Sequence, residues 1–122
     1  MAVDDRRRNL VEVAGLKISF ENDELRDSCC LYERGEETFG PFLANIVFNM
    51  LAEAEAADNA VEWHEILVND LLSCGADAFQ IAVGPDYIAN FVPVGRKYAV
   101  GEDGKTEWSS VTRLKVTAIW RR

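Results

Sequence analysis

The stretch Ala-Val-Gly-Glu-Asp-Gly-Lys-Thr, residues 99–106, matches the relaxed phosphate-loop pattern at Ala99, Gly104, Lys105 and Thr106. Such a loop binds nucleotide phosphates because a strand feeds a turn of inward-facing N–H groups and a helix N-terminus follows. The residues after Thr106 do not read as a helix. Glu-Trp-Ser-Ser-Val-Thr-Arg-Leu-Lys-Val moves into period-two alternation, and Glu102 and Asp103 would set two carboxylates against a polyanion. Asp103-Gly104 is instead a strong signal for a two-residue type I′ turn, which needs positive φ at both central positions. The stretch is therefore expected to be a hairpin turn between strands at 96–100 and 106–110.

His64-Glu65 opens like a zinc-protease helix, whose motif needs a second histidine one turn on. Position 68 is Val, and His64 is the only histidine in the chain. On a helix over 60–74, His64 falls between Val68 and Leu71 in an apolar arc, with Glu62, Glu65, Asn69 and Ser73 opposite. The expectation is a core or rim histidine hydrogen-bonded to the sheet. The competing reading is a pocket lined by His64, Tyr87, Phe91 and Tyr98, serving a small-molecule-binding domain or an enzyme. Cys29, Cys30 and Cys74 show no Cys-x-x-Cys spacing, and adjacent cysteines are poorly placed for a disulfide. They read as reduced, buried small apolar side chains. No metal, cofactor or catalytic residue is assigned.

Charge is the most informative global feature. The net charge is −8, but residues 21–77 carry fourteen acidic side chains against two arginines, Arg26 and Arg34. Carboxylate-rich surfaces steer and select basic partners. A small acidic interaction module follows as the leading functional reading, of the inhibitor or immunity type that neutralises a basic partner such as a nuclease toxin or a nucleic-acid-binding protein in a bacterial or phage setting. Its expected contact residues are Glu33, Glu36, Glu37, Glu53, Glu55, Asp58, Glu62 and Glu65. A phage or secretion-system assembly protein is a further alternative. Direct nucleic-acid binding is not expected, since Arg6-Arg7-Arg8 and Arg121-Arg122 are isolated terminal clusters on an acidic chain. No apolar run approaches the roughly 20 residues of a membrane span, and no secretory leader pattern is visible. A cytoplasmic protein is the resulting expectation.

The elements that must position these residues follow from periodicity. At 122 residues the chain is one domain by length, read as a flexible arm over 1–9 and a single α+β domain over 10–122. Within a strand at 10–20, Leu16, Ile18 and Phe20 alternate with Lys17 and Ser19. Residues 21–28 read as a polar connection and 29–33 as a second strand. Residues 42–57 form the strongest helix candidate, followed by a second helix over 60–74 with Asn59 as N-cap and Gly75 as stop. Strands at 79–83, 87–94, 96–100, 106–110 and 111–120 complete the chain, the last with Leu114, Val116, Ala118 and Trp120 on one face. The fold class is α+β: an antiparallel sheet of about five or six strands, a two-helix antiparallel hairpin on one face, in the order β-β-α-α-β-β-β-β.

Overall fold

A computed structural model of the protein describes residues 15–95 and 98–122. The expected arm at 1–9, residues 10–14 of the expected first strand, and Arg96 and Lys97 lie outside the described residues. The order is β1 (Lys17–Phe20), α1 (Asp23–Cys30), α2 (Tyr32–Phe39), α3 (Pro41–Ala56), α4 (Ala60–Leu67), β2 (Leu71–Cys74), β3 (Phe79–Val83), β4 (Tyr87–Pro93) and β5 (Arg113–Arg121). This is an α+β fold with a five-stranded, mostly antiparallel sheet ordered β1-β5-β4-β3-β2.

The region between β1 and α3 corrects the sequence reading. Residues 21–33 are neither a connection nor a strand; they build α1 and the start of α2. Asn22 starts α1 by accepting a hydrogen bond from the Leu25 N–H at 2.8 Å, and Asp23 and Glu24 occupy the positive first turn. The inward stripe of α1 is only Leu25, Ser28 and Cys29, too narrow to stand out among acidic neighbours. The hydroxyls of Ser28 and Thr38 share a 2.9 Å hydrogen bond that ties α1 to α2. Tyr32 of α2 then packs on Phe48 of α3, with ring centroids 5.7 Å apart.

Pro41 opens α3 where its missing N–H costs nothing. Ala44, Val47, Met50, Leu51 and Ala54 form its buried face. Asn59 starts α4, its side chain accepting from the Glu62 N–H at 3.0 Å. The expected helix over 60–74 stops at Leu67, because Val68 turns to φ 49° and ψ −98°. A single 3₁₀ turn over Val68–Asp70 leads into β2. Leu71 pairs with Ile81 and Cys74 with Phe79, so the apolar pair Leu71-Leu72 serves a strand. The expected two-helix layer thus contains four α-helices among the described residues.

The expected wholly antiparallel sheet is also corrected: β1 pairs parallel with β5, in register from Lys17↔Arg113 to Phe20↔Val116. A parallel neighbour needs a long crossover, and the helices and β2–β4 supply it. On the packed face, Phe79, Ile81, Val83, Ala89, Phe91, Leu114 and Val116 are almost wholly buried. In β5 the expected face does not persist past Val116. Asn90 pairs with Ala118 but Phe91 with Val116, which leaves Thr117 as an extra residue in β5. The Asn90 Nδ2 donates to Thr117 Oγ1 at 2.7 Å and holds this bulge. Beyond it the alternation inverts. Ile119 faces the core, while Ala118 and Trp120 are exposed.

The expected strands at 96–100 and 106–110 reduce, among the described residues, to one bridge between Val100 and Thr106. Trp108–Ser110 is a 3₁₀ turn.

Val68 is the one described non-glycine residue with positive φ, a strained choice for a β-branched side chain. It is 66% exposed, so little packing would be lost with its side chain. Val68→Gly is expected to raise the unfolding free energy by about 1 kcal/mol, as relief of strain exceeds the entropy of the added glycine. Urea titration with an unchanged slope measures this. Equal or lower stability would mean that Val68 carries no strain.

Candidate functional site

The phosphate-loop stretch is a closed turn. The Gly104 N–H donates to the Gly101 carbonyl at 3.0 Å, and the Gly101 N–H to the Lys105 carbonyl at 2.8 Å. Asp103 lacks the positive φ of a type I′ turn, while Gly104 has φ 80°. The loop is therefore a four-residue turn, 101–104, whose last residue is a left-handed glycine. Asp103 Oδ1 accepts from the Lys105 N–H at 3.0 Å, which occupies with a carboxylate an amide that a phosphate would need. No α-helix follows it.

His64 lies among rings. Its centroid is 4.4 Å from that of Phe79, in edge-on contact, and 5.9 Å from Trp108. Trp63 stands edge-on to Phe91 at 5.1 Å, and Phe91 stacks on Phe79 at 5.2 Å. The expected hydrogen bond to the sheet is not formed: among the described residues the buried Nε2 of His64 has no partner, nor has the buried indole nitrogen of Trp63. The wheel over 60–74 does not apply, since α4 ends before Val68. Of the four expected pocket residues, Phe91 is fully buried and Tyr87 stands edge-on to Phe39 at 5.7 Å. Tyr87 and Phe91 are four residues apart on β4, roughly 13 Å along a strand. Tyr98 packs, half-buried, against the core. The ring of Phe79 contacts both His64 and Phe91.

The three cysteines are free, but only Cys29 is buried; Cys30 and Cys74 are exposed, contrary to expectation. Burial, with a smaller effect of the neighbouring Cys30 thiol, pushes Cys29 up to about 12. Burial also raises Cys30, assisted by Glu55, and raises Cys74. These directions favour thiols over thiolates, the opposite of an activated nucleophile. Among the described residues no group of three His, Cys, Asp or Glu side chains is placed to hold a metal ion.

The acidic side chains are set out by the helical layer. Glu33, Glu36 and Glu37 lie on α2, Glu53 and Glu55 on α3, Asp58 in the break after it, and Glu62 and Glu65 on α4. Glu53 and Glu55 are about 200° apart around their helix and open on opposite flanks. Glu53 lines a cleft of about 320 Å³ with Asn49 and Asp70. Glu55 lines another of about 360 Å³ with Ile18, Cys30 and Phe48. Several carboxylates occupy the wrong ends of their helices: Asp27 closes α1, Glu36 and Glu37 close α2, and Glu53 and Glu55 close α3. None of these three helices has a basic residue in its last turn. The negative end of a helix disfavours carboxylates by about 0.3–1 kcal/mol each at low salt. Among the described residues, ion pairs join Arg26 to Asp23 and Asp27, and Lys115 to Glu21. None involves the eight expected contact residues. Asp27 and Asp70 are not among the eight residues expected from the sequence; Asp27 lies in the segment read there as a polar connection, and Asp70 lines a cleft with Glu53 once the helix ends at Leu67.

Burial lowers the pKa of His64, so the unfolded chain takes up its proton before the folded one. The stability contribution of the neutral ring is fully present above about pH 6.5, the ordinary histidine value, and is lost as pH falls through the lower folded value. Thermal stability is therefore expected to fall between pH 7.5 and pH 5.5 more in the native chain than in His64→Leu. Parallel pH profiles for the two would show that the ring does not titrate against its aromatic surroundings. Comparison of the chain with protein-family models, curated proteins and solved structures finds no match.

Proposed function

We propose that this protein is an acidic interaction module that binds a basic protein surface through its helical layer. The observation that carries the reading is the set of carboxylates at the C-terminal turns of α1, α2 and α3, opposed to the helix dipoles. With the exception of Asp27, which pairs with Arg26, these have no ion-pair partner among the described residues. Carboxylates at those ends weaken the fold, and a cationic partner relieves the repulsion on binding. Residues that lower stability yet make no internal contact are characteristic of surfaces shaped by a task other than folding. The role that suits such a face is inhibition: carboxylates in place of phosphates, covering the cationic surface of a nuclease or another nucleic-acid-binding protein. A cleft on each flank of α3, one lined by Glu53 and the other by Glu55, gives the helical layer relief, so that a partner can be selected by shape as well as charge.

The combined variant Glu36→Gln, Glu37→Gln, Glu53→Gln, Glu55→Gln tests it. At low salt it is expected to unfold with a free energy higher by about 1 kcal/mol or more, and the native chain is expected to gain stability as salt is added. Binding to poly-L-lysine as a cationic probe should weaken in the variant and fall with ionic strength in the native chain. A variant that is no more stable and binds the probe equally well would remove the basis of the reading.

A further inference from the structure

We infer that the outer edge of β1 is the docking site for an extended segment of the basic partner, which adds to the sheet as a sixth strand and places a lysine or arginine against Glu55. The inference rests on the interaction reading above and gives it a location. Two features of the fold carry it: the direction of the β1 backbone and the groove beside it.

The Lys17 N–H donates to the Thr112 carbonyl at 3.0 Å and the Glu21 N–H to the Val116 carbonyl at 2.9 Å. Residues 17, 19 and 21 thus turn their polar backbone groups toward β5, and by alternation Ile18 and Phe20 turn theirs to the outer edge. No described residue pairs with that edge. The opposite edge, β2, is interrupted by a register shift between Leu71 and Ser73, a device that blunts edges against pairing. β1 runs in register through all four residues, without bulge or proline.

The groove beside this edge is apolar along its floor and charged at its ends. One part, about 410 Å³, runs past Ser19 to Asp23, Arg26 and Cys30. The other, about 360 Å³, runs over Phe48, Leu51 and Ala52 to Glu55. Ile18 and Phe20 border both parts and are only half-buried. At the α1 end Arg26 lies 3.3 Å from Asp23 and 3.5 Å from Asp27 and offsets part of their charge. Glu55 has no such partner among the described residues. Its backbone is held against the start of β1: a Cβ on Gly15, at φ 92°, would collide with the Glu55 carbonyl, and the Leu16 N–H donates to the Ala57 carbonyl at 2.9 Å. The groove therefore offers main-chain hydrogen bonds, apolar seats at alternate positions and, at Glu55, a carboxylate with no ion-pair partner among the described residues. That combination fits strand addition by a segment with apolar inward residues and a terminal cation.

The test uses the full chain and the capped heptapeptide Lys-Thr-Val-Thr-Val-Thr-Lys, with an analogue carrying Glu at both ends as control. Amide exchange of Ile18 and Phe20 is followed by NMR. The lysine peptide is expected to bind and to protect both amides. Ile18→Pro, which removes an edge donor, should weaken binding about tenfold, and Glu55→Gln about threefold. Because the proline variant could disturb β1 itself, the Glu55→Gln result and the exchange pattern in the native chain decide independently. Protection of both amides before peptide is added would overturn the proposal, since the edge would already be filled. Equal binding of the glutamate peptide would overturn the role of Glu55. Lysine-peptide binding that shifts amides of α2 and α4 but leaves Ile18 and Phe20 exchanging freely would overturn the edge site while the acidic interaction reading stood. No binding at low salt would overturn the edge site, and it would overturn the wider reading only if poly-L-lysine also failed to bind.

Discussion

Everything in this fold is referred to the contact between Trp63 and the stacked pair Phe79–Phe91. Phe79 and Phe91 are direct cross-strand partners, so their stacking sets the register of β3 against β4. Trp63 is edge-on to both rings, at 6.0 Å and 5.1 Å, and fixes α4 over that register. All three are fully buried or nearly so, and rings of this size dominate the energetics of a small core. The indole nitrogen of Trp63, without a partner among the described residues, is a buried polar group whose desolvation opposes this aromatic packing.

From that contact the rest of the layer is placed by short ties. The Ala60 N–H donates to the Val111 carbonyl at 3.0 Å, which binds the start of α4 to the approach of β5. The Leu16 N–H donates to the Ala57 carbonyl, which binds the end of α3 to the approach of β1. The break at 57–59 is thus the junction where two helices and two strands meet. It also brings the acidic end of α3 beside the start of β1, so that carboxylates without an ion-pair partner and a strand edge unpaired among the described residues are neighbours. The proposed interaction surface follows from this junction.

Acidic residues can be counted from the sequence, but not their directions. Glu53 and Glu55 are two residues apart and face different clefts. Asp70 joins Glu53 across one of them because α4 ends early. His64 was recognisable as unable to build a zinc site, since no second histidine exists. That it would be held by rings rather than by a hydrogen bond could not be read, because Phe79 and Trp108 approach it from distant parts of the chain.

The sequence by itself determined the mixed α+β class, α3, the alternation of β3 and β4, the inward set of β1 and the acidity of the middle of the chain. Each of these is written in near-neighbour pattern: a 3.6-residue or two-residue period, a cap such as Asn59, a run of carboxylates. Only the tertiary structure decided the rest. Residues 71–74 became a strand because β3 was there to pair with. Residues 23–39 became helices because α3 covered their narrow apolar stripe. β5 turned Trp120 outward because Asn90 on the adjacent strand holds the bulge at Thr117. β1 joined β5 in parallel because the intervening chain supplies the long crossover. In each case the deciding partner is remote in sequence, and a local pattern carries no information about it.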